Sequence, residues 1–186
     1  MKRIILIPVL AVAMIGSTAI TSFAQKEKTT MVGGAAMYPS KNIIENAVNS
    51  KDHTTLVAAV NAAGLVGTLE GAGPFTVFAP TNEAFDKLPA GTISNLLKPQ
   101  NKAELTKVLT YHVVAGDYDS KALMDKIKEG NGTATLTTVQ GEPLTITEKS
   151  KHLWIKDAKG GMAEVTIKDV YQKNGVIHVI NKVLMP

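Results

Sequence analysis

The chain has 186 residues, 45% of them hydrophobic and 19% charged, with a formal net charge of +4. That balance excludes a disordered chain, and the lack of cysteine excludes disulfides, a thiol nucleophile, Cys-ligated zinc, iron–sulfur clusters and a lipidated-Cys anchor. Lys2 and Arg3 carry two of the positive charges, and Arg3 is the sole arginine, so the remaining Lys-only, nearly balanced surface is not expected to bind nucleic acid.

The first predicted element is a leader. Residues 1–24 have the three parts of a secretory signal peptide: Lys2-Arg3, an apolar run from Ile4 to Ile15, and Ser22-Phe23-Ala24 with small residues at the cleavage positions. Gly16, Ser17, Thr18, Thr21 and Ser22 interrupt the run before it reaches the about 20 apolar residues of a membrane span. Cleavage before Gln25 is expected, with no stable membrane insertion afterwards and a secreted or periplasmic product of one domain. Residues 25–37 are polar and aperiodic, which predicts a flexible N-terminal segment, and order is expected from Tyr38 onward.

Ser40 is expected to cap a helix with Ile43, Ile44, Ala47 and Val48 on one face. Asp52 is expected to cap a second, with Leu56, Val57, Val60 and Ala63 inward and Gly64 ending it. Leu65, Val66 and Leu69 add a short apolar turn. Gly71-Ala72-Gly73-Pro74 then breaks the chain ahead of a strand from Phe75 to Ala79, whose Phe75, Val77 and Ala79 face inward. Pro80 removes a donor and stops that strand, and Thr81 caps a short helix through Phe85 and Leu88. Ile93, Leu96 and Leu97 suggest a further helical turn. Leu105, Val108, Leu109 and His112 share one face of an amphipathic helix that runs into the extended Val113-Val114.

Asp119 or Ser120 caps the next helix, with Leu123, Met124 and Ile127 inward and Gly130-Asn131-Gly132 at its end. Beyond it the period changes to two. Leu136, Leu144–Ile146, Leu153–Ile155, Val165–Ile167 and Val176–Ile180 read as strands, with turns at Asp157–Gly161 and Lys173–Gly175. Helices first and strands second describe an α+β domain.

Little in the pattern speaks for catalysis. The four histidines, 53, 112, 152 and 178, include no i, i+3 or i, i+4 pair that would clamp a metal. His53 and His152 are expected at the surface, and His112 and His178 between helix and sheet. Asp117-Tyr118-Asp119 with Asp125 fails as a calcium loop, because Lys121 and Ala122 stand where an oxygen ligand and glycine are needed. Gly71-x-Gly73 precedes a strand, the wrong context for cradling phosphate, and neither a nucleophile elbow nor a His-Glu-x-x-His run occurs. No metal or cofactor is expected. Asn131-Gly132-Thr133 is a glycosylation sequon.

Three segments are more specific than any periodicity. They are Gly73–Phe85 (GPFTVFAPTNEAF), Tyr111–Val114 (YHVV) and Asn174–Pro186 (NGVIHVINKVLMP). In order and spacing they resemble the fasciclin domain: its two homology boxes and the Tyr-His motif between them. The resemblance covers residues 38–186. It implies a wedge of about seven strands in a β-sandwich packed against several α-helices. It also implies a non-enzymatic module of cell adhesion and extracellular matrix organisation, whose partner is a surface or matrix protein or a polysaccharide. Most eukaryotic members carry tandem domains or an anchor, whereas one domain without an anchor is expected here. The residues carried by the motifs are Phe75, Thr76, Phe78, Pro80, Thr81, Asn82 and Phe85 in the first box, Tyr111 and His112, and Asn174, Gly175, His178 and Asn181 in the last. The family often has the Tyr-His motif proposed as a receptor contact; here a structural role is expected for both residues. The rival reading is a periplasmic small-ligand carrier or enzyme using the His112/His178 region.

Overall fold

The computed structural model describes residues 29–186. The leader expected over residues 1–24 lies outside the described residues. Among the described residues no helix is long and apolar enough to cross a membrane.

The expected flexible segment is replaced, over residues 30–37, by a hairpin of β1 (Thr30–Val32) and β2 (Ala35–Met37). Gly33 and Gly34, with φ of 57° and 77°, supply the two left-handed positions that a tight two-residue turn requires. Val32 and Met37 then bury their side chains against the main core.

Five helices follow in two groups around a strand: α1 (Ile43–Ala47), α2 (Thr54–Ala63) and α3 (Val66–Leu69), then β3 (Phe75–Pro80), then α4 (Asn82–Asp86) and α5 (Thr92–Leu96). Next come α6 (Lys102–Tyr111), β4 (Val113–Ala115) and α7 (Ser120–Glu129). The chain ends in β5 (Thr133–Thr137), β6 (Pro143–Lys149), β7 (His152–Lys156), β8 (Met162–Gln172) and β9 (Gly175–Ile180).

Two helix starts differ from expectation. Asn42, not Ser40, caps α1: its Oδ1 accepts from the Glu45 N–H at 2.9 Å while Glu45 Oε2 accepts from the Asn42 N–H at 2.8 Å. The face turned inward carries Ile43 and Asn46, and Val48 is 55% exposed. Asp52 does not cap α2. A 3-10 turn over Lys51–His53 precedes that helix, and its free N–H at Thr55 is taken by the side chain of Asn82, from α4.

One seven-stranded sheet, in the order β4-β3-β9-β8-β7-β6-β5, organises the rest. Only the central pair β3–β9 is parallel; every other neighbour is antiparallel. The long strand β8 pairs with β7 through Met162–Glu164 and with β9 through Val165–Gln172. Its register slips between Val165 and Ile167 and again between Ile167 and Val170, where Asp169 takes a φ of 59°. Such bulges bend and twist a strand, and the sheet curls until its ends meet. Val114 of β4 bridges Thr138 just past β5, and the Val139 N–H donates to the Val113 carbonyl at 2.7 Å. The result is the nearly closed α+β wedge expected of the resemblance.

Two cores result. Inside the curl, Phe78, Ile180, Ile155, Ile146 and Leu136 meet Leu123 and Ile127 of α7. On the other face of β3 and β9, Val77, Ala79, Ile177 and Val179 meet the helices α2 and α6. The single inward face expected for β3 is therefore two: both of its faces are buried, because one looks into the curl and the other into the helix layer.

Gly175 is fixed by backbone geometry. Its φ is 153°, and a Cβ there would collide with the Phe75 carbonyl of the neighbouring strand. Gly175→Ala is expected to cost more than about 3 kcal/mol in urea unfolding, the range of backbone strain combined with overpacking. Gly34→Ala, at positive φ but facing open space, should cost only about 1 kcal/mol. Equal costs at the two sites would contradict the account of the β3–β9 contact.

Candidate functional site

The motif residues converge on the β3–β9 pair and its margins, and almost all of them hold one element to another. Thr76 is fully buried; its Oγ1 donates to the Gly116 carbonyl at 2.7 Å and accepts from the Tyr118 N–H at 2.9 Å, fixing the loop before α7. Phe78 stacks on the His178 ring, with centroids 5.8 Å apart and planes 24° from parallel. Phe75 packs at the margin of the helix-side core and Phe85 within it. Pro80 closes β3 opposite Ile180. Thr81 caps α4 through the Ala84 N–H at 3.3 Å. Asn82 takes the Thr55 N–H at 3.0 Å and the Thr54 hydroxyl at 3.2 Å, and donates to the Lys51 carbonyl at 2.9 Å.

The last box works the same way. Asn174 accepts from the Ile43 N–H at 3.1 Å, and its amide donates to the carbonyls of Leu69 and Gly71 at 2.8 and 2.9 Å. One side chain thus ties α1 and the end of α3 to the turn before β9. Asn181 accepts from the Glu164 N–H at 2.9 Å, and its carbonyl accepts from the Lys87 ammonium at 2.9 Å. Tyr111 is fully buried; its hydroxyl donates to the Pro143 carbonyl at 3.0 Å and accepts from the Ala158 N–H at 2.9 Å. Burial pushes that phenol above its usual range.

His112 and His178 are both buried, and the backbone sets their tautomers. The Leu184 N–H donates to His112 Nε2 at 3.0 Å, so the ring proton sits on Nδ1 and donates to the Val108 carbonyl at 2.8 Å. In His178 the assignment reverses: the Asp169 N–H reaches Nδ1 at 3.4 Å, and Nε2–H donates to the Tyr118 carbonyl at 2.8 Å. Burial lowers both rings below the ordinary histidine value, His112 to about 4. Both are neutral near pH 7, and neither has a nitrogen left for substrate or metal. No group of side chains suited to a metal ion occurs among the described residues.

Two histidine placements divide. His152 lies at the surface as expected, where it meets Glu164 at 2.6 Å. His53, expected at the surface, is 3% exposed. It precedes Leu56 and Val60 by three and seven residues, the inward spacing of α2, and that signal was available in the sequence. Its Nδ1 meets the Ser50 hydroxyl at 2.8 Å. Other buried polar residues left no sequence signal. Asn46 donates to Gln172 across the fold. Asp157 holds the Gly161 and Met185 N–H groups at 2.6 and 3.1 Å.

A seven-stranded curl closed by helices, with its two sequence boxes side by side at the centre, defines the class. The fasciclin domain model matches residues 51–186, and the chain belongs to that family. It is 40% identical over 190 residues to protein sll1483 of Synechocystis sp., covering 95% of this chain and 97% of that one. It is 36% identical over 160 residues to the cell surface glycolipoprotein MPB83 of Mycobacterium bovis, covering 83% of this chain and 64% of that one. Among solved structures it is similar to a FAS1 domain pair from the insect cell adhesion molecule fasciclin I, with a TM-score of 0.69 at 17% identity, over 87% of this chain and 59% of that one.

Buried neutral histidines make stability depend on pH. Between the ordinary value of 6.5 and about 4, the unfolded chain binds a proton at position 112 that the folded chain does not. Stability is therefore expected to fall as pH drops through that window, by roughly 3 kcal/mol for this ring. His112→Ala should lower the melting temperature by several degrees, since the Leu184 N–H is left unsatisfied at about 1–3 kcal/mol and a cavity remains. The variant should also have a shallower acid dependence in urea titrations. A wild-type stability flat from neutral pH to about pH 4 would contradict the burial of neutral rings.

Proposed function

We propose that the protein is an exported, non-enzymatic interaction module that binds a surface or matrix protein or a polysaccharide, as in cell adhesion or matrix organisation. The observation that carries this reading is the state of the motif side chains. All four ring nitrogens of His112 and His178 are engaged by backbone groups, which leaves the rival use of that region, as an enzyme site or carrier site, without a free base or ligand. The motif residues build a rigid frame, and recognition falls to the surfaces that the frame presents. Its relatives favour the same direction: one is a cell surface glycolipoprotein, and the fold neighbour is a domain pair from a cell adhesion molecule. The leader sequence supports export, to the periplasm or beyond.

The test has two arms. Exported protein is sequenced from its N-terminus, with Gln25 expected first; recovery of Met1 in a membrane fraction would contradict cleavage. The purified protein is then applied to a glycan array and to a panel of surface and matrix proteins. Saturable binding to one class, abolished by unfolding, is the expected result. Absence of binding to both, together with turnover of a substrate at His112 or His178, would overturn the reading.

A further inference from the structure

The outward face of strands β5–β8 belongs to neither core. Strand alternation sets it: Ala134 and Leu136 of β5 and Leu144 and Ile146 of β6 fill the inside of the curl, so the threonines between them look out. The registers align the outward side chains in rows across the sheet. One row runs Thr133, Thr147, Trp154, Glu164, and the next runs Thr135, Thr145, Lys156, Met162. On the other side of the tryptophan row, Lys149 stands opposite His152. At about 4.8 Å per strand the rows extend roughly 14 Å, room for a short oligosaccharide.

Trp154 is the chain's sole tryptophan. It is half-buried and packs into neither core. Its indole N–H, the hydroxyls of Thr135, Thr137, Thr145 and Thr147, and the ammonium groups of Lys149 and Lys156 make no hydrogen bond or ion pair among the described residues. The two lysines are exposed and lie one row to either side of the indole. The carboxylate on these rows, Glu164, is met by His152 at 2.6 Å and by the Asn181 amide at 3.5 Å. Glu148, the neighbour of Lys149, has the opposite parity on its strand. Two unpaired cations thus face outward beside an aromatic ring and a field of free hydroxyls.

We propose that this face binds an anionic polysaccharide, one whose sugars carry carboxylates. A sugar ring stacks on the Trp154 indole, its hydroxyls meet the threonines and the indole N–H, and its carboxylates meet Lys149 and Lys156. The free lysines make the face complementary in charge to such a chain. An indole offers an apolar face and a polar tip, which suits the C–H face and hydroxyl rim of a pyranose. A protein partner fits less well, because the centre of a protein interface is apolar and poor in charge. Here Met162 is the one large aliphatic side chain in the two central rows. The inference rests on the reading of the protein as an interaction module and narrows its partner to one class.

Because Trp154 is the sole tryptophan, its emission reports occupancy of the face directly. The probe is a short oligogalacturonate, titrated by fluorescence and calorimetry, with an uncharged cello-oligosaccharide of equal length and polyglutamate as controls. A saturable change in emission with the oligogalacturonate is expected, weakened by added salt, and both controls should bind at least about tenfold more weakly. Trp154→Thr, which keeps a good strand former, should weaken binding by more than about tenfold in calorimetry. The surface pair Lys149→Glu with Lys156→Glu should do the same and remove the salt dependence, while Lys98→Glu, ahead of α6, should leave binding unchanged. No change in emission with the oligogalacturonate, or binding untouched by the tryptophan and lysine variants, would overturn the proposal. So would polyglutamate binding as tightly, which would assign the face to an acidic protein, or emission that depends on protein concentration alone, which would assign it to a second copy of the chain. Binding of another partner with Trp154 undisturbed would overturn this site and leave the interaction-module reading in place.

Discussion

The parallel pairing of β3 with β9 is the constraint on which the rest of the fold depends. It joins residues 75–80 to residues 175–180 in strict register, so the whole intervening chain must return before the centre can form. Both strands are covered on both faces, by the interior of the curl on one side and by α2 and α6 on the other. Strands covered on both faces read as continuous apolar runs, as Phe75–Ala79 and Val176–Ile180 do. Any polar side chain placed there must be satisfied from within, because an unpaired buried group costs more than a formed hydrogen bond returns.

That rule accounts for the motif residues without invoking a partner. Thr76 holds the loop before α7, and His178 holds the same loop from the adjacent strand. His112 ties the end of α6 to Leu184 in the C-terminal tail. Asn174 ties α1 and α3 to the turn before β9, and Asn82 caps a helix to which it does not belong. Each joins elements distant in sequence, so the side chains that mark the family are those that close its long-range contacts. Neutral imidazole suits this work, since it supplies one donor and one acceptor in fixed directions.

The sequence was informative where structure is local. Helix α6, with Leu105, Val108, Leu109 and His112 inward, follows its period directly, as do the alternating strands β5 and β6. Turn chemistry placed the bends at Asp157 and Asn174. Misreadings came where a partner lies far along the chain. Asn82 as the cap of α2 cannot be seen from residues 50–56, and the buried pairing of Asn46 with Gln172 spans the fold. The β1–β2 hairpin has strands too short for any period to register; Gly33-Gly34 was its only local signal. His53 looked like a polar helix start, although its spacing to Leu56 and Val60 marks it as inward.

The central claim is that the motif histidines are neutral struts with fixed tautomers. Long-range nitrogen-15 spectra of the imidazole rings measure this directly. The account predicts His112 as the Nδ1–H form and His178 as the Nε2–H form, with His112 keeping its pattern as pH is lowered to about 5.5 and His178 titrating below the ordinary histidine value. Either ring exchanging between tautomers, or titrating near the ordinary value of 6.5, would contradict it.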